Sequence, residues 1–243
     1  MSRESTWARW RDLPGLVWTH AAAYGGASVD FFRGLGEEIR TDEVPRNVRV
    51  LRWLAAVAMV PLSFLLLATA HLRGGVHGAR DRRSLVIAVR HSRARALGAL
   101  LLVVTTIVLV VCTAFILVVV LAITTRSGEL LTAVMWIGNV LFWALVVSVV
   151  AGGALQVVPA LLSSSATTSI GDETPDGDRW VIESLAARTA ADGAAAFLLA
   201  ARTLRAFPTG RVLAAGARTD ALRDGYERLG FTAGEENRVY LKT

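Results

Sequence analysis

Lysine is almost missing from this chain, with one, Lys242, against 25 arginines. Such a skew follows genome base usage as readily as chemistry, so it carries no functional weight. Cysteine is equally scarce. The single Cys112 lies inside a hydrophobic run, which excludes an intrachain disulfide and leaves it a small apolar packing residue. The four histidines, His20, His71, His77 and His91, have no spacing with cysteine or acids that would build a metal site, so no metal is expected. A Ser-His-Asp set, a P-loop and a complete dinucleotide fingerprint are all absent from the sequence. The first twenty residues lack an apolar core and mix acids with arginines, so no cleavable signal is expected and the membrane segments carry the targeting information.

Charge is missing throughout Leu97 to Thr125, LGALLLVVTTIVLVVCTAFILVVVLAITT. At about 1.5 Å of rise per helical residue this run exceeds the roughly 30 Å hydrocarbon core of a bilayer. A second uncharged run begins after Glu129, and only the residues from Thr124 to Glu129 separate the two. The pair reads as a tight membrane hairpin. A third apolar stretch, Leu51 to Leu72, has Arg52 and Trp53 at one end and His71 and Arg73 at the other, with Pro61 set to kink it. The expected membrane domain is therefore 51–162, with spans at about 51–72, 97–125 and 130–151. Hydrophobic residues make up 53% of the chain, as expected of an integral membrane protein with soluble parts. The interiors of the spans hold no acid or base, which argues against an ion pathway, and Asn139 beside Gly138 reads as a helix-packing residue.

What charge there is lies unevenly. The net surplus of +6 equals that of residues 71–96 alone, where Arg73, Arg80, Arg82, Arg83, Arg90, Arg93 and Arg95 face one acid, Asp81. Read as a loop, 73–96 stays cytoplasmic by the positive-inside rule. The hairpin then crosses outward and returns, the C-terminal region is cytoplasmic, and three spans put the N-terminus outside. Anionic lipid headgroups are the expected partners of these arginines. Nucleic acid is not expected, because no groove-reading motif accompanies them. Residues 1–50, with Trp7, Trp10 and Trp18 among arginines and with Pro14 and Gly25-Gly26 as breakers, read as an interfacial segment or as a loosely helical tail packed on the rest of the protein. The uncharged residues 13–29 are an alternative fourth span. Residues 163–178, rich in Ser, Thr, Gly, Pro and Asp, read as a linker.

Beyond the linker, residues 179–243 change in type. Trp180 to Ala187 predicts a strand, Gly193 to Phe207 an amphipathic helix, Arg211 to Ala217 a strand, Thr219 to Leu229 a short helix, and Arg238 to Leu241 a last strand. That order implies an α/β unit with a parallel pair. The order of elements, with Gly193-Ala194-Ala195 before Phe197-Leu198-Leu199 and the later Tyr226-Glu-Arg-Leu-Gly-Phe231, resembles the GNAT acyltransferase superfamily over about Trp180 to Thr243. The fold class is thus a membrane α-helical region joined to a cytoplasmic GNAT-like α/β half-domain.

The resemblance implies acetyl-CoA as cofactor. Glu183 to Ala187, including Leu185 and Ala187, would line its pantetheine. Asp192, Gly193, Ala194, Ala195 and Ala196 would cradle its pyrophosphate, and Tyr226 would be the general acid for the leaving thiolate. Glu183, the one carboxylate in the middle of the first strand, is the candidate base. The implied activity is transfer of an acetyl group to an amine near the membrane. Asp192 puts a negative charge where phosphates would arrive, and the family's N-terminal half has no evident counterpart in the sequence. Either residues 154–178 supply a missing strand, another copy or another chain completes the sheet, or the domain is a degenerate half, and the rival reading is a non-catalytic membrane assembly or docking protein.

Overall fold

The computed structural model describes residues 7–32, 45–125, 128–162, 168–217 and 219–243. Parts of the N-terminal segment (1–6 and 33–44), of the hairpin turn (126–127) and of the linker (163–167) lie outside the described residues.

Two helices open the chain, α1 (Leu13–Phe32) and α2 (Arg46–Leu72), followed by strands β1 (Val76–Gly78) and β2 (Ser84–Arg90). The long helices α3 (Arg93–Thr124) and α4 (Gly128–Leu162) come next. The chain ends with β3 (Asp178–Ala187), α5 (Gly193–Ala206), β4 (Arg211–Gly216), α6 (Asp220–Arg228), β5 (Thr232–Ala233) and β6 (Arg238–Lys242). The C-terminal elements fall where the apolar periodicity places them.

The six strands form one mixed sheet in the order β1-β2-β3-β4-β6-β5. The segment expected to be a basic loop therefore contributes two strands. Ser-Leu-Val-Ile-Ala-Val is buried throughout, as a central strand covered on both faces must be, and Arg90 pairs with Trp180 of β3. The neighbour of β3 opposite β4 is β2 of this same chain, not a strand from residues 154–178. β3 and β4 are parallel and joined through α5; the other pairings are antiparallel.

Each face of the sheet has its own core. Leu13, Leu16 and Val17 of α1 and Leu67 and Ala70 of α2 pack on Val76, Leu85, Ile87 and Val89. On the opposite face Leu199 and Ala200 of α5 and Tyr226 of α6 pack with Val86, Ile182, Leu213 and Val239. Trp7 is bridged to His77, and the Ala8 N–H donates to the Val76 carbonyl at 3.0 Å, so the residues before α1 and those after α2 meet the same strand. Trp7 and Ala8 thus lie beside β1, within the segment 73–96. Residues 13–32 form a helix packed on the sheet, in line with the second reading of that segment, with Leu16 and Ala21 fully buried.

Among the described residues three helices are long and apolar enough to cross a membrane: Arg46–Leu72, Arg93–Leu121 and Thr132–Leu155. They differ in surroundings. In α2, Met59 and Leu67 are fully buried while Val50, Trp53 and Leu54 are exposed. Along α3 and α4 large apolar side chains are exposed almost throughout, Trp136 to 70%. Cys112 is exposed with them. Ser92 caps α3 by accepting the Arg95 N–H at 3.3 Å, and the chain leaves the sheet there, at the end of β2, to re-enter through β3, its neighbour.

Candidate functional site

β3 changes character at Glu183. Ile182 pairs with Ala88 and Ser184 with Ile87, which leaves Glu183 as the extra residue of a β-bulge. Before the bulge, Trp180 to Ile182 pair with β2 on one side, and Asp178 to Ile182 pair with Arg211 to Ala215 of β4 on the other. After it, Ser184 to Ala187 pair with β2 alone. The two parallel strands part company, and backbone groups of β3 that would have met β4 face a cleft instead.

A cavity of about 610 Å³ lies at this parting, with Ile182 to Leu185 and Gly216 along the strands and Leu222 and Tyr226 from α6. His20 and Tyr24 of α1, Thr69 of α2 and Arg73 just beyond it close the polar side. The structure thus brings Glu183, Leu185 and Tyr226 together at one cavity.

Tyr226 is held there by the end of α6. Thr219 caps the helix start by accepting the Leu222 N–H at 3.2 Å. At the other end Gly230 takes a left-handed conformation, φ +95°, which lets the Phe231 N–H return to the Tyr226 carbonyl at 3.1 Å. The Phe231 ring then stacks obliquely 5.2 Å from the tyrosine ring. The Tyr-Glu-Arg-Leu-Gly-Phe spacing is thus a helix stop that fixes one aromatic against another. Burial, with the nearby Tyr24 hydroxyl in second place, pushes the Tyr226 phenol well above its ordinary value, so it keeps its proton at neutral pH.

Glu183 is ion-paired. Arg73 Nη1 donates to its Oε1 at 2.9 Å, while Arg73 Nη2 donates to the Arg90 carbonyl at 3.0 Å. The arginine side chain is 10% exposed and the glutamate 40%, so a largely buried cation holds a reachable carboxylate at the cavity wall. Around it, the Tyr24 hydroxyl donates to Ser184 Oγ at 3.1 Å, His20 Nδ1 lies 2.9 Å from Ser63 Oγ, and the His20 and Tyr24 rings stack 4.4 Å apart. Sequence reading did not place His20, Tyr24, Thr69 or Arg73 at this site. The spacing of His20 and Tyr24, four residues apart in the uncharged stretch 13–29, was the available signal.

The loop after β3 stands apart from this cavity. A short 3₁₀ turn, Ala190–Asp192, leads into α5. The Thr189 hydroxyl donates to Asp192 Oδ2 at 2.7 Å, and Arg83 Nη1 lies 3.9 Å from Asp192 Oδ1. A Cβ on Gly193 would meet nothing, and Ala194 and Ala195 are exposed, so the first turn of α5 is sterically open. Ala196 instead faces the core. Arg83, 58% exposed, brings a positive group to this loop that the sequence did not place there.

Among the described residues no group of three His, Cys, Asp or Glu is placed to hold a metal ion. No protein-family model matches the chain, and no curated protein matches it.

Proposed function

We propose that the chain is a membrane-anchored, GNAT-like acyltransferase that binds acetyl-CoA in the cleft between β3 and β4 and acetylates an amine at the membrane surface. The parting of the two parallel strands after the Glu183 bulge carries this reading. Pantetheine is an extended chain with amide donors and acceptors, and the unpaired edge of β3 matches it as a further strand would. In the same reading the pyrophosphate meets the open first turn of α5, with Arg83 beside it. α1, α2, β1 and β2 supply the N-terminal half of the family's fold that was not evident in sequence.

The chemistry follows from the cavity walls. The neutral amine attacks the thioester carbonyl; its N–C bond forms as the C–S bond breaks. The proton shed by the nitrogen passes through water to Glu183, and Tyr226 gives its proton to the departing thiolate, to be restored from solvent. The products are an N-acetyl amine and free CoA thiol. Arg73 holds the Glu183 carboxylate in place. In this reading α3 and α4 cross the bilayer, α1 and α2 stay with the sheet, and the arginines of 73–96 keep the sheet on the cytoplasmic side of the cell membrane.

The test is thiol release from acetyl-CoA by the purified full chain with a panel of primary amines. Tyr226→Phe, which keeps the ring packing, is expected to lower kcat by roughly 10²- to 10⁴-fold. Release that Tyr226→Phe leaves unchanged would overturn the role given to the tyrosine. A non-catalytic docking role is the second reading, favoured by the Asp192 carboxylate at the start of α5; turnover that depends on Tyr226 would remove it.

A further inference from the structure

The cavity has a second wall that the reaction does not use. Besides Glu183 and Tyr226 it is lined by Leu66 of α2 and by Ala96, Leu97 and Leu100 from the first turns of α3. Leu97 is 60% exposed and Leu100 40%, so these side chains face the cavity without being sealed into a core. They also begin the uncharged surface of α3, where Leu101 is 65% and Leu109 61% exposed. Arg93 and Arg95, both exposed, precede them on the same helix. Arginines beside an apolar helix sit at headgroup level. From Arg93, Leu97 is about 6 Å and Leu100 about 10 Å further along the axis, at the top of the acyl region.

We infer, resting on the acyl-transfer reading above, that the acceptor is an amphiphile: a primary amine on a long hydrocarbon chain, such as a lipid with an amino headgroup. Its nitrogen lies between Glu183 and Tyr226, and its chain follows Leu66, Leu97 and Leu100 out along α3 into the bilayer. A cationic headgroup is drawn by the Glu183 carboxylate before it loses its proton. A small soluble amine would leave the Leu97 and Leu100 wall wet, which is why that wall selects for a chain.

The experiment uses the full chain in phosphatidylcholine nanodiscs with saturating acetyl-CoA and linear primary amines from ethylamine to octylamine, read as thiol release. kcat/KM is expected to rise with each methylene, by up to about fourfold, until the apolar wall is covered. Simple partitioning of long amines into the disc would also give a rise. The double variant Leu97→Ser, Leu100→Ser is therefore compared with Ile116→Ser, a lipid-facing change outside the cavity. The inference expects the octylamine-to-ethylamine ratio to fall at least tenfold in the first and to hold in the second. A flat series, or a ratio that survives in the double variant, overturns the amphiphilic acceptor and leaves acyl transfer standing. No acetyl-CoA binding and no turnover with any amine overturns both.

Discussion

Leu109 in α3 and Leu198 in α5 are equally exposed, at 61%, yet their surroundings differ in kind. Around Leu198 stands a domain whose apolar side chains are packed into two cores and whose distant segments are tied by ion pairs: Arg82 to Asp12 at 2.9 Å, Arg73 to Glu183 at 2.9 Å, Arg238 to Glu173 at 2.7 Å. Around Leu109 nearly every large side chain is apolar and uncovered. Water specifies the first region, since burying its apolar residues is what orders it. Water would disfavour the second, which needs a solvent as apolar as itself. The cavity lies where the two regions meet, with ionisable residues from one and leucines from the other.

The largest effect that would break this contrast is expected at Leu109. Leu109→Arg is predicted to cost roughly 3 to 4 kcal/mol of insertion free energy, read as loss of carbonate-resistant membrane protein. A full membrane fraction after that change would contradict the account of α3. Next comes acid. Burial lowers the pKa of His77, in β1, to about 4 from an ordinary 6.5. The unfolded chain then binds a proton between those values that the folded chain does not, so stability falls as pH drops from about 6.5 toward 4 and levels off below. The loss is roughly 3 kcal/mol for the sheet domain, measured by denaturant unfolding in detergent. The helices α3 and α4 carry no such group and are expected to keep their helical signal over the same range. Loss of that signal together with the sheet's would erase the distinction. Smallest is Leu198→Arg, expected to change stability by less than about 0.5 kcal/mol, because its side chain already faces water.

The two regions were not equally legible in sequence. α3 and α4 announce themselves by uninterrupted hydrophobicity, and the C-terminal alternation of strand and helix is set by turn residues and apolar spacing. β1 and β2 were hidden by the arginines on either side of them. Ser84 to Val89 is buried on both faces, so it shows none of the alternation that marks a half-buried strand. Two supposed breakers concealed α1. Pro14 occupies its second position, where a missing N–H costs nothing. Gly25 does not interrupt the helix at all: a Cβ there would come within 2.7 Å of the Ala56 nitrogen, so the glycine lets α2 lie close. Of the site, Glu183 and Tyr226 could be read from strand and motif. The bulge that exposes Glu183 could not, because it depends on β2, a strand more than ninety residues earlier.

Everything functional rests on the cleft between β3 and β4 accepting a CoA thioester. Isothermal calorimetry of the detergent-solubilised full chain with acetyl-CoA tests it without assuming any acceptor. The account predicts a saturable heat with one molecule bound per chain, diminished when Arg83 is replaced by alanine. No heat at millimolar acetyl-CoA, from protein whose unfolding transition shows it folded, would contradict it.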